Sequence, residues 1–262
     1  MIYKEFLRLS QRSGAELYGT LYYRISNAFH LITVMPEKIR ECALIKYLYG
    51  KKSILTPLIE GEAGFRFSDL SHYARMENEL MRDDEMSKTF IIDRFSGELS
   101  VNGRVISPED MTQDPKLTVP TRHCYCLCLS NRKNCDELFN KFKADICIEV
   151  NVELLVEFLK DFFTHKFQGM QVIARNITYY SKGHLPKTHE ASDLVFYKPD
   201  AFSHEAEFRI ALFYPLNKPG FKATDGETLP FKDDNESMHM TFAYPDKEFL
   251  KQFIGNTFER KA

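Results

Sequence analysis

The stretch that most constrains this chain is Phe196 to Tyr214, F-Y-K-P-D-A-F-S-H-E-A-E-F-R-I-A-L-F-Y, which reads as a loop feeding a buried strand. Glu205, Glu207 and Arg209 recur at alternate positions, and side chains two apart on a strand share a face. The spacing predicts two carboxylates and a guanidinium on one side, with Ala206, Phe208 and Ile210 on the other. From Ile210 to Phe213 the run is apolar on both faces, as an interior strand is. Two carboxylates at the mouth of a buried strand suit acid/base or sugar chemistry. A charge ladder on the solvent face of an edge strand is the plain alternative. The loop before it, with Pro199, Phe202, Ser203 and His204, favours a site, because binding residues collect on loops held by a rigid strand.

Around this stretch, turn chemistry and periodicity divide the chain. Ile39, Ala43, Leu44, Tyr47 and Leu48 fit an amphipathic helix from Pro36 to Tyr49. Gly64 to Phe67 is a strand candidate, and Ser68 or Asp69 can cap a helix running from Leu70 through Tyr73, Leu80 and Met81 to the cluster Arg82-Asp83-Asp84-Glu85. Phe90 to Ile106 predicts a hairpin with turns at Ser96-Gly97 and Asn102-Gly103. Ser107 to Pro120 reads as a loop with three prolines. Strands are expected over His123–Ser130, Ala144–Val150, Val172–Tyr180 and Asp193–Tyr197. Helices are expected over Asp136–Lys143, after the Asn151 cap, and over Asp246–Ile254, with a long loop from Lys218 to Met240. Strands outnumber helices without βαβ alternation. The expectation is one α+β domain: a mixed, largely antiparallel sheet core over residues 61–262 and an N-terminal helical lobe over residues 1–60.

Composition narrows the function classes. Hydrophobic residues make up 44% of the 262, enough for a sizeable core. A net charge of -2 gives no global attraction to nucleic acid or an anionic membrane. No apolar run approaches the ~20 residues of a membrane span, and M-I-Y-K-E-F-L-R-L lacks the hydrophobic core of a signal peptide. The six cysteines, three of them in H-C-Y-C-L-C-L, read as reduced core residues. A soluble, cytoplasmic protein without a membrane partner is expected.

Cys124, Cys126 and Cys128 fall on one strand face beside His123, but the spacing lacks the C-x₂-C turns of a tetrahedral zinc site, so no metal is assigned. No phosphate-cradling glycine motif, G-x-S-x-G elbow or H-E-x-x-H pattern occurs. Arg66 within G-F-R-F needs a partner, either a carboxylate of the fold or an anionic ligand such as phosphate. Arg82, Asp83 and Asp84 read as a solvated helix end, with the alternative that a charged cluster following the helix lined by Tyr73 and Met76 lines a cleft.

Two resemblances follow from these motifs. I-K-Y-L-Y-G-K-K-S-I-L-T-P-L-I-E-G-E-A-G-F-R-F-S-D-L, C-L-C-L-S and the F-x-K-x-x-x-F-x-x-E-x-E-F-R-I pattern of Phe196–Ile210 resemble, in order over residues 45 to 215, an uncharacterised bacterial and phage family without a settled activity. The succession of Arg66, Ser130 and Glu205-Ala206-Glu207 is similar to the arginine–serine–glutamate group of mono-ADP-ribosyltransferases, with Cys128-Leu129-Ser130 where that group has Ser-Thr-Ser. This second resemblance implies an ADP-ribosyltransferase-like fold with NAD as substrate. It implies that Arg66 holds the NAD phosphate or ribose and that Ser130 supports the site, with Tyr73 and Arg209 in the NAD-binding set. Glu207 would stabilise the oxocarbenium-like sugar, and Glu205 would orient or activate a macromolecular acceptor, protein or nucleic acid. The implied role is ADP-ribose transfer in phage–host conflict or a toxin system. Two rivals stand beside it: a non-catalytic protein-binding factor on the same scaffold, and a metal-dependent nuclease using Asp193, Glu205 and Glu207, for which Arg209 stands where a lysine is expected.

Overall fold

In the computed structural model the described residues are 20–24 (backbone), 44–76 and 84–260, apart from 182, 184, 186, 187, 189, 234 and 245. The chain begins with β1 (Thr20–Arg24), β2 (Ile45–Gly50), α1 (Lys52–Ile59) and β3 (Phe65–Asp69). An arm follows, with β4 (Ser87–Ile91), β5 (Leu99–Val101), β6 (Arg104–Ile106) and β7 (Lys116–Pro120). Next come β8 (Tyr125–Ser130), α2 (Asp136–Lys141), β9 (Ile146–Asn151), α3 (Val152–Lys166), β10 (Gln171–Asn176) and β11 (Thr178–Tyr180). The last part holds α4 (Ala191–Leu194), β12 (Tyr197–Pro199), β13 (Glu207–Phe213), β14 (Gly220–Lys222), β15 (Thr228–Pro230), β16 (His239–Ala243), α5 (Lys247–Lys251) and β17 (Ile254–Glu259).

Nine of these strands form one sheet in the order β1-β16-β3-β8-β2-β9-β17, with β13 paired to β8 and β10 to β13. Its ladders are antiparallel except β1 with β16. The fold is therefore α+β with a large, mostly antiparallel sheet. Along one edge of β8 two strands take turns: β3 pairs at Ser68–Cys126 and Asp69–Tyr125, then β2 pairs at Tyr47–Ser130. On its other edge β13 pairs throughout, from Leu212–Tyr125 to Glu207–Ser130. The sheet forks where β8 leaves β3 for β2.

Alternation decides what each face carries. Phe67, Leu127, Leu129, Phe208, Ile210 and Leu212 pack on α3, whose Leu155, Phe158, Leu159, Phe162 and Phe163 recur at helical spacing. The Asn151 carboxamide starts that helix by accepting from the Leu154 N–H. The other face carries Cys124, Cys126, Ala211 and Phe213 under Leu70, Ile177, Val195 and Phe196, and turns polar towards Ser130 and Glu207. Gly64 lets β16 approach, since a Cβ there would lie 1.5 Å from the Phe242 carbonyl oxygen.

Several expectations are corrected. The helix read over Pro36–Tyr49 is, in its described part, strand β2, because pairing with β8 and β9 overrides the local spacing. The described part of residues 1–60 gives two strands to the sheet and one helix, α1, rather than a helical lobe; residues 1–19 and 25–43 lie outside the described residues. The helix from Leu70 is a 3₁₀ segment, Leu70–Arg75, capped by Asp69, and Leu80 to Asp83 lie outside the described residues. Asn102-Gly103 makes its turn, with φ of 51° and 75°. Ser96-Gly97 closes no hairpin, for β4 pairs instead with β7, inside the expected loop. The Asp193–Tyr197 strand is split between α4 and β12. The Lys218–Met240 loop contains the β14–β15 hairpin and the start of β16, a strand interior to the sheet.

Candidate functional site

β13 brings Glu207 and Arg209 to the polar end of the sheet, opposite Ser130 and Cys128. Glu205 does not share the strand: it ends the 3₁₀ segment Asp200–Glu205, and Ala206 follows in a left-handed conformation with φ of 45°. Alternation therefore does not place Glu205 beside Glu207. Lys198 on β12 does, its Nζ lying 2.7 Å from Glu205 Oε2 and 3.1 Å from Glu207 Oε2. Arg209 donates from Nε to Glu207 Oε1 at 2.9 Å and grips Glu85 through Nη1 and Nη2 at 3.1 and 2.9 Å. Its Nη1 also reaches the Val195 carbonyl at 2.6 Å. Lys88 pairs with Glu85 at 2.6 Å, and Lys141 with Glu205 at 2.7 Å.

These contacts form one chain of alternating charge, Lys88–Glu85–Arg209–Glu207–Lys198–Glu205–Lys141, buried from Lys88 to Glu205 and ending at half-buried Lys141. Arg209, Glu85 and Lys88 are each 1% exposed, and Glu205 and Glu207 are each 5% exposed. β13 is interior, so a solvent-facing edge ladder is not what this charge pattern makes. Such burial is tolerated only when every ion is paired and hydrogen-bonded. Burial alone would raise the Glu207 carboxyl, but the Arg209 and Lys198 charges outweigh it and hold it down to about 2. Glu85 is likewise held well below its ordinary range, with Arg209 and Lys88 overcoming burial. Lys198 and Arg209 are held protonated by the carboxylates against the same desolvation. Phe202 lies under two of the cations, 4.5 Å from Lys198 Nζ and 5.1 Å from Lys141 Nζ.

Arg66 lies on the same sheet face, across the fork. It is exposed between buried Phe65 and Phe67, and its Nη2 meets His239 Nε2 at 2.5 Å. A guanidinium only donates, so Nε2 accepts and Nδ1–H donates to Ser68 Oγ at 3.1 Å. Burial, then the positive charge of Arg66, push the His239 imidazole down to about 4. His72 packs edge-on to His239 at 4.9 Å and is lowered by the same two causes. Asp69 anchors this half from below, accepting from the Ser71 and His72 N–H groups at 2.8 and 3.1 Å and from the Met238 N–H.

Tyr73 stands between the halves. Its hydroxyl contacts Cys128 Sγ at 3.0 Å, and burial raises both groups. Ser130 is 4% exposed; its Oγ donates to the Glu205 carbonyl at 2.7 Å and accepts from the Arg132 N–H at 3.0 Å, clasping the loop that carries Glu205. Cys124 and Cys126 touch through their sulfurs at 3.4 Å inside the core. Asp193 belongs elsewhere: Arg175 and Thr188 engage its carboxylate, which does not converge with Glu205 and Glu207.

Thus Glu207, Glu205, Arg209, Ser130 and Tyr73 come together, and Arg66 shares their sheet face with His239 and His72 as its company. Sequence reasoning missed Glu85, Lys88, Lys141, Lys198, His72 and His239. Two signals were present: Lys198 lies within F-Y-K-P, and M-H-M-T-F-A alternates as a strand does. The contact of Glu85 with Arg209 spans 124 positions and leaves no local trace. No protein-family model, curated protein or solved structure matches this chain.

Proposed function

We propose that the polar sheet face carried by β3, β8 and β13, beside the fork, is the site of an NAD-dependent, ADP-ribosyltransferase-like protein, with a fold of that type and a macromolecular acceptor. One observation supports the reading most: the Ser130 strand lies between the Arg66 strand and the Glu207 strand, and the register turns all three residues to one face. In this reading Arg66 takes the phosphate of NAD and Tyr73 closes the middle of the site. Glu207, ionised throughout the physiological range, stabilises positive charge at the ribose as the glycosidic bond to nicotinamide breaks and its electron pair leaves with nicotinamide. Arg209 and Ser130 hold Glu207 and its loop in place, and Glu205 orients the acceptor. Lys198 has to move off Glu207 Oε2 before a sugar can reach that oxygen.

The same pairing favours a second reading, a non-catalytic binding protein in which the charge chain is scaffold: both Glu207 oxygens are already taken. Nicotinamide release from NAD, followed with the wild type and Glu207→Gln, separates the two. Release by the wild type alone upholds the transferase. No release, with no NAD-dependent rise in melting temperature, overturns it.

A further inference from the structure

Cationic and protonatable groups gather around the 3₁₀ segment Leu70–Arg75. β3 brings Arg66, whose guanidinium is exposed, and the segment itself brings His72 and Arg75. Arg66 is steadied by buried His239, whose Nε2 accepts from its Nη2. Arg75 donates to Ser71 Oγ at 2.8 Å and to the Asp233 carbonyl at 3.4 Å. Half-buried His72 feels both guanidiniums: burial, then the Arg66 charge, with Arg75 adding to them, favour its neutral form against the Asp69 carboxylate. Its Nδ1 meets Ser237 Oγ at 3.1 Å, which leaves Nε2 as the ring nitrogen for a ligand.

The other charges facing His72 are turned elsewhere. Asp69 is fully buried and accepts from the Ser71 N–H and hydroxyl, the His72 N–H and the Met238 N–H. Those donors answer a carboxylate's roughly four acceptor sites. The loop carrying Ser237 adds exposed Lys232 and Glu236 and half-buried Asp233. The Asp233 carboxylate accepts from the Asn235 and Glu236 N–H groups at 2.7 and 3.0 Å. On β16 the neighbour is His239, edge-on at 4.9 Å, and the β1 residue opposite it, Thr20, does not ionise.

We propose that Arg66, Arg75 and His72 form a binding site for a phosphate-type oxyanion, and that His72 takes up a proton from solvent as the site fills. The two guanidiniums supply fixed charge and planar donor forks that suit such oxygens. The imidazole adds a donor whose charge depends on whether the anion is there. In the empty site two cations oppose its protonation, and a bound dianion reverses that sign. His239 is the anchor that aims Arg66, its own Nδ1 held by Ser68. The proposal rests on the transferase reading only for the ligand's identity, the diphosphate of NAD.

Sulfate is the probe, because its charge is constant from about pH 5.5 to pH 8, the range in which histidine titrates. Its Kd should fall as pH falls, by up to about tenfold per pH unit, wherever bound His72 is charged and free His72 is neutral. In proton NMR, saturating sulfate should raise the His72 midpoint by about one unit or more. Arg66→Gln should weaken sulfate binding about tenfold or more near pH 6, with melting little changed because the side chain is exposed. His72→Gln, which keeps a donor but does not titrate, should retain the affinity at the alkaline end and lose the pH dependence. An affinity flat with pH overturns the proposal, and so does an Arg66→Gln protein that binds as the wild type does. Nicotinamide release with flat sulfate binding would sink this site and leave the transferase reading standing. pH-dependent sulfate binding without nicotinamide release would uphold the site and overturn the transferase.

Discussion

The two halves of the polar sheet face solve the same problem in opposite ways. Around Arg209 the chain buries full charges and pairs each with an opposite one. Around Arg66 it sets an exposed guanidinium against histidines, one of them, His239, held neutral by burial and by the Arg66 charge. The first arrangement is rigid and stays charged at every physiological pH. The second is soft, because a proton on His239 turns an acceptor into a cation facing a cation. The polar face thus carries fixed charge on one side and a pH-responsive pair of histidines on the other.

The sharpest way to break the comparison is Arg209→Leu, which leaves Glu85 and Glu207 buried without their shared cation. Removing one partner of a buried ionic set costs about 3–5 kcal/mol, so urea unfolding should show a loss of that size. If the cost is under about 1 kcal/mol, the network is not dry.

Acid separates the halves next. His239 has a folded pKa of about 4 against an ordinary 6.5. The unfolded chain therefore binds more protons between those values, and stability falls as pH drops from 6.5 to 4. Glu207 lies at about 2 against 4.5, so its contribution is complete above 4.5 and drains towards pH 2. That second step is on the order of 3 kcal/mol. The histidine step comes first as pH falls, and burial of the imidazole is the larger of its causes, ahead of the Arg66 charge. Melting temperature followed from pH 7 to 2 should fall in two stages, and His239→Asn should flatten only the first. A single fall confined below pH 4 contradicts the histidine assignment.

The smallest effect belongs to Tyr73, which bridges the halves. Tyr73→Phe removes one hydrogen bond to Cys128 and should cost about 1 kcal/mol. Under the transferase reading it should also raise the NAD concentration needed for half-maximal thermal stabilisation. An unchanged NAD response places Tyr73 in the scaffold alone.

The sequence by itself determined the elements whose cause is local. The alternation of Tyr125 to Ser130 and of Glu207 to Phe213, the Asn151 cap, the apolar stripe of α3 and the Asn102-Gly103 turn need only a few neighbouring residues, and each is present. It also put Glu207 and Arg209 on one face, since a strand's period is two. The tertiary structure decided what depends on pairing between distant segments. β2 and β16 are strands because of the ladders beside them, and Glu205 meets Glu207 through Lys198 rather than through strand spacing. Arg209 acquired Glu85 from 124 residues away. Local propensity is a difference of tenths of a kcal/mol per residue, whereas an unpaired buried ion costs several. Once the fold drew these charges out of water, finding partners outweighed any local preference.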